Sequence, residues 1–160
     1  MIRNDTVTPV PAQELFETMD QLLTEGYDAE FTVTGKSMWP FLRPNRDRVV
    51  LRRWDTQKLK SGQIVLYRSG QDHYRLHRIQ WVRKGSFQAI GDGNCVKDGQ
   101  YPTCCVLGVV VGVFREERYI PAQRGVYGLL GALWMLLYPV RPGLLRLLYA
   151  LAGKRKGDRD

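Results

Sequence analysis

The sequence predicts a mainly β fold, a barrel or a sandwich, with an N-terminal amphipathic helix before it and apolar helices after it. Three observations lead there. Between residues 31 and 121, short runs rich in Val, Ile, Phe, Tyr and Thr alternate with Gly, Pro and Asn turn signals, without the helical stretches that βαβ units need. Ahead of this region Leu15, Phe16, Met19, Leu22 and Leu23 recur at helical spacing. Behind it, residues 125–140 carry no charge at all. A chain of 160 residues has room for one domain with a substantial core plus appendages. The divisions fall at residues 1–30 (arm and helix), 31–121 (β domain) and 122–160 (apolar, basic-ended helical segment).

Residues 1–12 read as a flexible start, since Asp5 interrupts any basic n-region and no apolar h-region follows. The helix is expected over 11–25, with Gly26 as its stop. Strands are expected at 31–35, 48–53, 63–68, 74–82, 86–90, 106–114 and 118–120. The turns between them are marked by Pro44-Asn45, Ser61-Gly62, Ser69-Gly70, Lys84-Gly85 and Gly91-Asp92-Gly93-Asn94. In the final segment Pro139 and Pro142 divide the apolar stretch into two helical pieces, and Arg141 and Arg146 interrupt it. The uncharged run is shorter than the roughly 20 residues a spanning helix needs. Its Tyr and Trp residues and the terminal Lys154-Arg155-Lys156 suit the interfacial zone of a membrane better than a full span.

The formal charge of +8 directs attention to anionic partners. No helix-turn-helix, zinc-finger or RNP pattern accompanies it, which removes nucleic acid from the expected partners. Cys95, Cys104 and Cys105 are odd in number, two of them adjacent, and therefore not a disulfide framework. They read as small buried thiols of a reducing compartment. Two histidines and no Cys-x-x-Cys leave no metal site to expect, and no cofactor is implied.

The stretch with most chemical promise is Gly35-Lys36-Ser37-Met38-Trp39-Pro40-Phe41. It places a hydroxyl where a strand should end, on a turn stiffened by a proline that cannot join a ladder. A serine needs a base, and the base needs an acid to orient it. His77 lies in the middle of a predicted strand, and Asp92 or Asp98 supplies the carboxylate from the turns that follow. Lys36 is a poor rival base because neighbours on an extended chain point to opposite sides.

The order of these motifs resembles the signal peptidase I family, specifically its endoplasmic-reticulum and archaeal branch with a histidine base. The series runs Gly35-Lys36-Ser37-Met38-Trp39-Pro40, Asp47-Arg48-Val49-Val50, Gly62-Gln63-Ile64-Val65-Leu66-Tyr67-Arg68, Leu76-His77-Arg78-Ile79, Gly91-Asp92-Gly93-Asn94 with Asp98, and Val106-Leu107-Gly108-Val109-Val110. The resemblance implies a β-barrel related to the LexA-like peptidases and a serine endopeptidase that cleaves a leader, signal or propeptide. It makes Ser37 the nucleophile, His77 the base and Asp98 the acid that orients it, with Asp92 shaping the site; the two aspartates could exchange roles. Gly35, Lys36, Met38 and Pro40 fall at the oxyanion hole and substrate groove. The substrate would be a peptide bound as an extended strand with small side chains before the cut.

Some positions depart from the family pattern. Gly35 stands where some relatives carry a serine that helps the oxyanion hole, Arg46 replaces a usual glycine and Gln63 a usual aspartate. Family members normally carry an apolar helix before the serine, and residues 1–30 contain none. The expectation is a peptidase domain on the cytoplasmic side, held to the membrane surface by its C-terminal segment. An inactive peptide-binding scaffold that uses the same groove is the alternative. A LexA-like self-cleaving regulator is disfavoured, because neither a DNA-binding module nor an Ala-Gly or Cys-Gly linker precedes the β region.

Overall fold

A computed structural model describes residues 12–71 and 73–157. The expected start, residues 1–11, lies outside the described residues. Helix α1 spans Ala12–Thr24. Met19 and Leu23 are buried while Leu15 and Leu22 stay over a third exposed, so the inward stripe is narrower than the spacing suggests. Gly26, at φ +91°, ends the helix: its own N–H and that of Tyr27 return to Leu23 and Leu22 carbonyls.

Eight strands follow: β1 (Ala29–Thr32), β2 (Asp47–Arg52), β3 (Ile64–Arg68), β4 (Tyr74–Arg83), β5 (Ser86–Ile90), β6 (Gln100–Pro102), β7 (Val106–Arg115) and β8 (Arg118–Pro121). They form one antiparallel sheet in the order β1-β2-β7-β3-β4-β5-β6, with β8 also on β7. The path is open, with β1 at one end and β6 at the other, and among the described residues no pairing closes it into a barrel. The register shifts at Val50/Leu51, Leu66/Tyr67 and Ile79/Trp81, local irregularities that increase strand twist.

Alternation along β3 shows why its sequence reads as a nearly continuous apolar run. Ile64 and Leu66 enter the larger core, with Met19, Leu23, Val49, Leu51, Val110 and Val113. Val65 and Tyr67 enter a second cluster with Ile79, Phe87, Ala89 and Val109. Both faces of this central strand are covered, so there is no polar face to expose.

Strand β1 differs from its expected 31–35. Regular pairing stops at Thr32, and Val33 is held instead by the loop before β2. Its N–H donates to the Asp47 carbonyl (3.0 Å), and Asn45, at φ +58°, donates to the Val33 carbonyl (2.7 Å). Strand β6 has no counterpart among the expected strands. Three residues ending in proline leave almost no periodic signal.

Helices α2 (Gly125–Leu136) and α3 (Arg141–Gly157) meet at a bend of 68°. Pro139 lies in the 3-10 turn between them, and Pro142 occupies the first turn of α3, where its missing N–H is harmless. Among the described residues no single helix is long and apolar enough to cross a membrane; the bent pair meets the length only jointly. Arg141, which reads in sequence as a mere interruption, is fully buried and hydrogen-bonds the carbonyls of Gly91, Asn94 and Trp134. The helical pair is thereby fastened to the turn that carries Asp92.

Candidate active site

The turn that carries Ser37 follows directly on the irregular stretch after Val33. Met38 plugs the larger core, and the N–H of Leu42 returns to the Met38 carbonyl at 2.9 Å. The Trp39–Pro40 peptide is cis. From the opposite side the Gly91–Asn94 turn presses on the same backbone, with the Gly93 N–H donating to the Ser37 carbonyl at 2.8 Å. Both glycines are there for space. A Cβ at Gly91 would run into the Ser37 carbonyl, and one at Gly93 would lie 2.8 Å from the Trp39 carbonyl. Ser37 itself is half-buried.

A cavity of about 450 Å³ opens beside it. One wall is Phe31, Val33, Thr34 and Gly35, and the other is the first half of β4, Tyr74 to His77. Ser37, Met38, Leu66 and Asn94 complete the lining, and Phe16 of α1, stacked on Tyr74 at 4.2 Å, closes one end. The sheet explains why two extended segments bound this space. Strand β4 pairs with β3 over Tyr74–Arg78 but with β5 only from Arg78 onward, and β1 pairs only with β2. Among the described residues, 74–77 therefore keep one edge without a neighbouring strand.

His77 is 5% exposed and its Nδ1 lies 2.5 Å from Asp98 Oδ2. The same oxygen accepts from the Tyr67 hydroxyl at 2.7 Å, and Asp98 Oδ1 accepts from Arg75 Nη1 at 2.6 Å. The backbone of Asp98 is fixed as well: its N–H donates to the Ala89 carbonyl, and its carbonyl accepts from Gln88 Nε2. Burial opposes the charge on Asp98, but the bonds from His77 and Tyr67 and the charge of Arg75 outweigh it and hold the carboxyl below its usual range. Burial and the neighbouring carboxylate push the Tyr67 hydroxyl far above its ordinary value, so it remains a donor. With Nδ1 committed to the carboxylate, Nε2 is the nitrogen left to exchange a proton. Ser37 and His77 line the same cavity, but no hydrogen bond joins their side chains in the structure. Contacts of this kind often tighten only when substrate is bound.

Asp92 is placed otherwise. It is fully buried and forms a two-pronged pair with Arg78, Nε to Oδ1 at 2.9 Å and Nη2 to Oδ2 at 2.7 Å. Arg78 also donates to the Gly62 carbonyl and lies over the Phe41 ring, while the Asp92 carbonyl accepts from Trp134 Nε1. On α2, Gly131 leaves room for this guanidinium, since a Cβ there would lie 2.7 Å from Arg78 Nη1.

Of the four expected groove residues, Gly35 and Met38 line the cavity with Ser37. Lys36 and Pro40 do not; with Trp39, whose N–H closes the turn onto the Lys36 carbonyl at 3.0 Å, they line a second cavity on the far side of the turn. The position of Gly35 is open, and a methyl group added there would meet no atom within 4 Å. The Ser37 N–H makes no hydrogen bond among the described residues and is available as a donor. Arg46 and Gln63, which depart from the family pattern, serve locally: Arg46 pairs with Asp47, and the Gln63 side chain accepts from the Lys60 N–H at 2.8 Å.

The cysteines correct another expectation. Cys95 and Cys104 are exposed, Cys105 is half-buried, and all three are free, because they sit on loops and a 3-10 turn rather than in the core. Among the described residues no three His, Cys, Asp or Glu side chains converge as a metal site. Sequence reasoning does not single out Tyr67, Arg75 or Arg78 as site residues. Their signal is positional: Tyr67 lies opposite Arg75 in the β3–β4 register, and Arg75 and His77 alternate onto one face. Neither a scan against protein-family models nor a search of curated proteins finds a match to this chain.

Proposed function

We propose that the chain is a serine endopeptidase of signal peptidase I type, its sheet a variant of the LexA-like peptidase fold. The observation that carries this reading is the His77–Asp98 contact at 2.5 Å, made on the wall of a cavity that Ser37 also lines. A peptide laid in extended form between residues 31–35 and 74–77 can use the unpaired edge of β4 and bring its scissile carbonyl to Ser37. Ser37 Oγ then attacks the carbonyl carbon while His77 Nε2 takes the hydroxyl proton. Asp98 holds the imidazole in the required tautomer and stabilises its charged form, and the Ser37 N–H receives the developing oxyanion. The imidazolium returns its proton to the departing amine, and the C–N bond breaks to leave an acyl-enzyme. A water molecule, deprotonated by His77, releases the acyl group.

The substrate class is a leader, signal or propeptide with small side chains before the cut. The domain is proposed to work at a membrane surface on the cytoplasmic side, a placement the free cysteines suit. The alternative, an inactive peptide-binding scaffold, draws support from the missing Ser37–His77 hydrogen bond. Incubation with a peptide library carrying Ala, Gly or Ser before a central bond separates the two. The peptidase reading expects cleavage by the wild type and none by Ser37→Ala with equal peptide retention; retention without cleavage in both is the scaffold outcome.

A further inference from the structure

The turn that carries Ser37 separates two cavities. The second, of about 700 Å³, lies between this turn and α3 and is lined by Lys36, Trp39, Pro40, Arg43, Tyr149 and Leu151 among others. Trp39 stacks on Tyr149 at 4.2 Å, so the wall of this cavity joins the candidate catalytic turn directly to α3. Lys36 and Arg43 are the charged groups in its lining, and among the described residues neither side chain has an ion-pair partner. No acid lines the cavity; the nearby Asp47, which accepts from the Arg43 N–H at 2.9 Å, is already paired with Arg46 and Arg115.

The neighbouring helices have an unusual distribution of apolar surface. On α2 one side, Tyr127, Gly131 and Trp134, packs inward, yet Leu129 and Leu136 on the other side are 70% and 77% exposed. Leu133, Val140, Leu147 and Leu151 extend the exposed face onto α3. A helix that is apolar all round normally lies in a core or in lipid. The occupant of this surface must be apolar against the helices and anionic at the cavity. A soluble acidic peptide satisfies only the second condition, whereas the headgroup boundary of an anionic bilayer satisfies both.

We infer that the Lys36–Arg43 cavity binds the phosphate of an anionic phospholipid, with the exposed face of α2 and α3 resting in the same leaflet. This rests on the membrane-surface part of the proposed function and not on the peptidase chemistry. It also gives that placement a consequence: the lipid grips the turn that carries Ser37 from behind, through Trp39 and Tyr149.

Flotation of the full chain with vesicles tests the inference, using phosphatidylcholine alone and phosphatidylcholine mixed with phosphatidylglycerol. Binding to the mixed vesicles, weakened by salt, is expected. Each cation lost near an anionic surface lowers affinity about fivefold, so Arg43→Gln should weaken binding about fivefold and Lys36→Gln with Arg43→Gln about 25-fold. Leu129→Asp with Leu136→Asp, two exposed positions, should abolish flotation with unchanged circular dichroism. Equal binding to both vesicle types, or no effect of the arginine change, overturns the phosphate site while the membrane placement stands. Flotation with neither vesicle type overturns both. Glycerol phosphate binding to the protein without vesicle binding assigns the cavity to a free phosphate and likewise overturns the lipid. Ser37→Ala should float as the wild type does, which keeps this outcome separate from the fate of the peptidase reading.

Discussion

His77 and Arg78 are neighbours on β4, and each takes an aspartate from the same stretch of chain, residues 91–98. Because successive strand residues point to opposite faces, the two pairs face different surroundings. Arg78 and Asp92 are sealed beneath α2, with every prong of the carboxylate matched by a guanidinium whose charge is permanent. His77 lines the cavity that Ser37 shares, and Asp98 holds its Nδ1 from behind. Two buried aspartates of one loop are thus held differently, Asp92 by a guanidinium sealed under α2 and Asp98 by an imidazole on a cavity wall.

The sharpest way to break this contrast is to neutralise each acid in turn. Asp98→Asn should lower kcat by about 10⁴-fold, the effect of holding a triad histidine in the wrong tautomer, while the chain stays folded. Asp92→Asn should do the reverse. It strands a buried arginine and destabilises the fold by about 3–5 kcal/mol, with turnover per folded molecule little changed. Urea midpoints measured beside cleavage rates separate the two, and a matched loss of both quantities in both variants would erase the distinction.

Gly91→Ala comes next. The new methyl must displace the Ser37 carbonyl, and a shift of the nucleophile by about 1 Å can cost on the order of 10²-fold in rate. Cleavage at the wild-type rate would show that the turn does not position the serine. A smaller effect belongs to acid. The Asp98 carboxyl titrates below its ordinary 3.8 in the folded chain, so its stabilising contribution is complete above that value and disappears as pH falls through the folded pKa. Acidification below about pH 4 should therefore destabilise the wild type more than Asp98→Asn, as read from urea midpoints. The smallest change expected is in Gly35→Ser. The site has open space, so stability should move by less than about 0.5 kcal/mol, and an added hydroxyl near the oxyanion should raise turnover.

Strong alternation is legible in the chain. The pattern over residues 86–90 predicts a strand and one forms there, and the broken apolar stretch after residue 121 folds as two helices. The weak points share a cause, which is that pairing partners decide what a single strand cannot. Regular pairing of β1 ends at Thr32 because the loop before β2 captures Val33, and β6 exists only because β5 offers it an edge. The serine, histidine and aspartate are visible as residue types in a known order. The support around them is not, since Tyr67 and Arg75 meet Asp98 only once β3 and β4 are in register. The choice between Asp92 and Asp98 as partner of His77 likewise depends on geometry that spacing alone does not carry.

If Ser37 is a nucleophile activated by the His77–Asp98 pair, peptide cleavage passes through an acyl-enzyme on its hydroxyl. Mass spectrometry of the protein quenched in acid during cleavage of a susceptible peptide tests it most directly. An acyl adduct on Ser37 is expected, and it should be lost in His77→Ala. Cleavage that proceeds with Ser37 replaced by alanine, or an adduct carried by another residue, would contradict it.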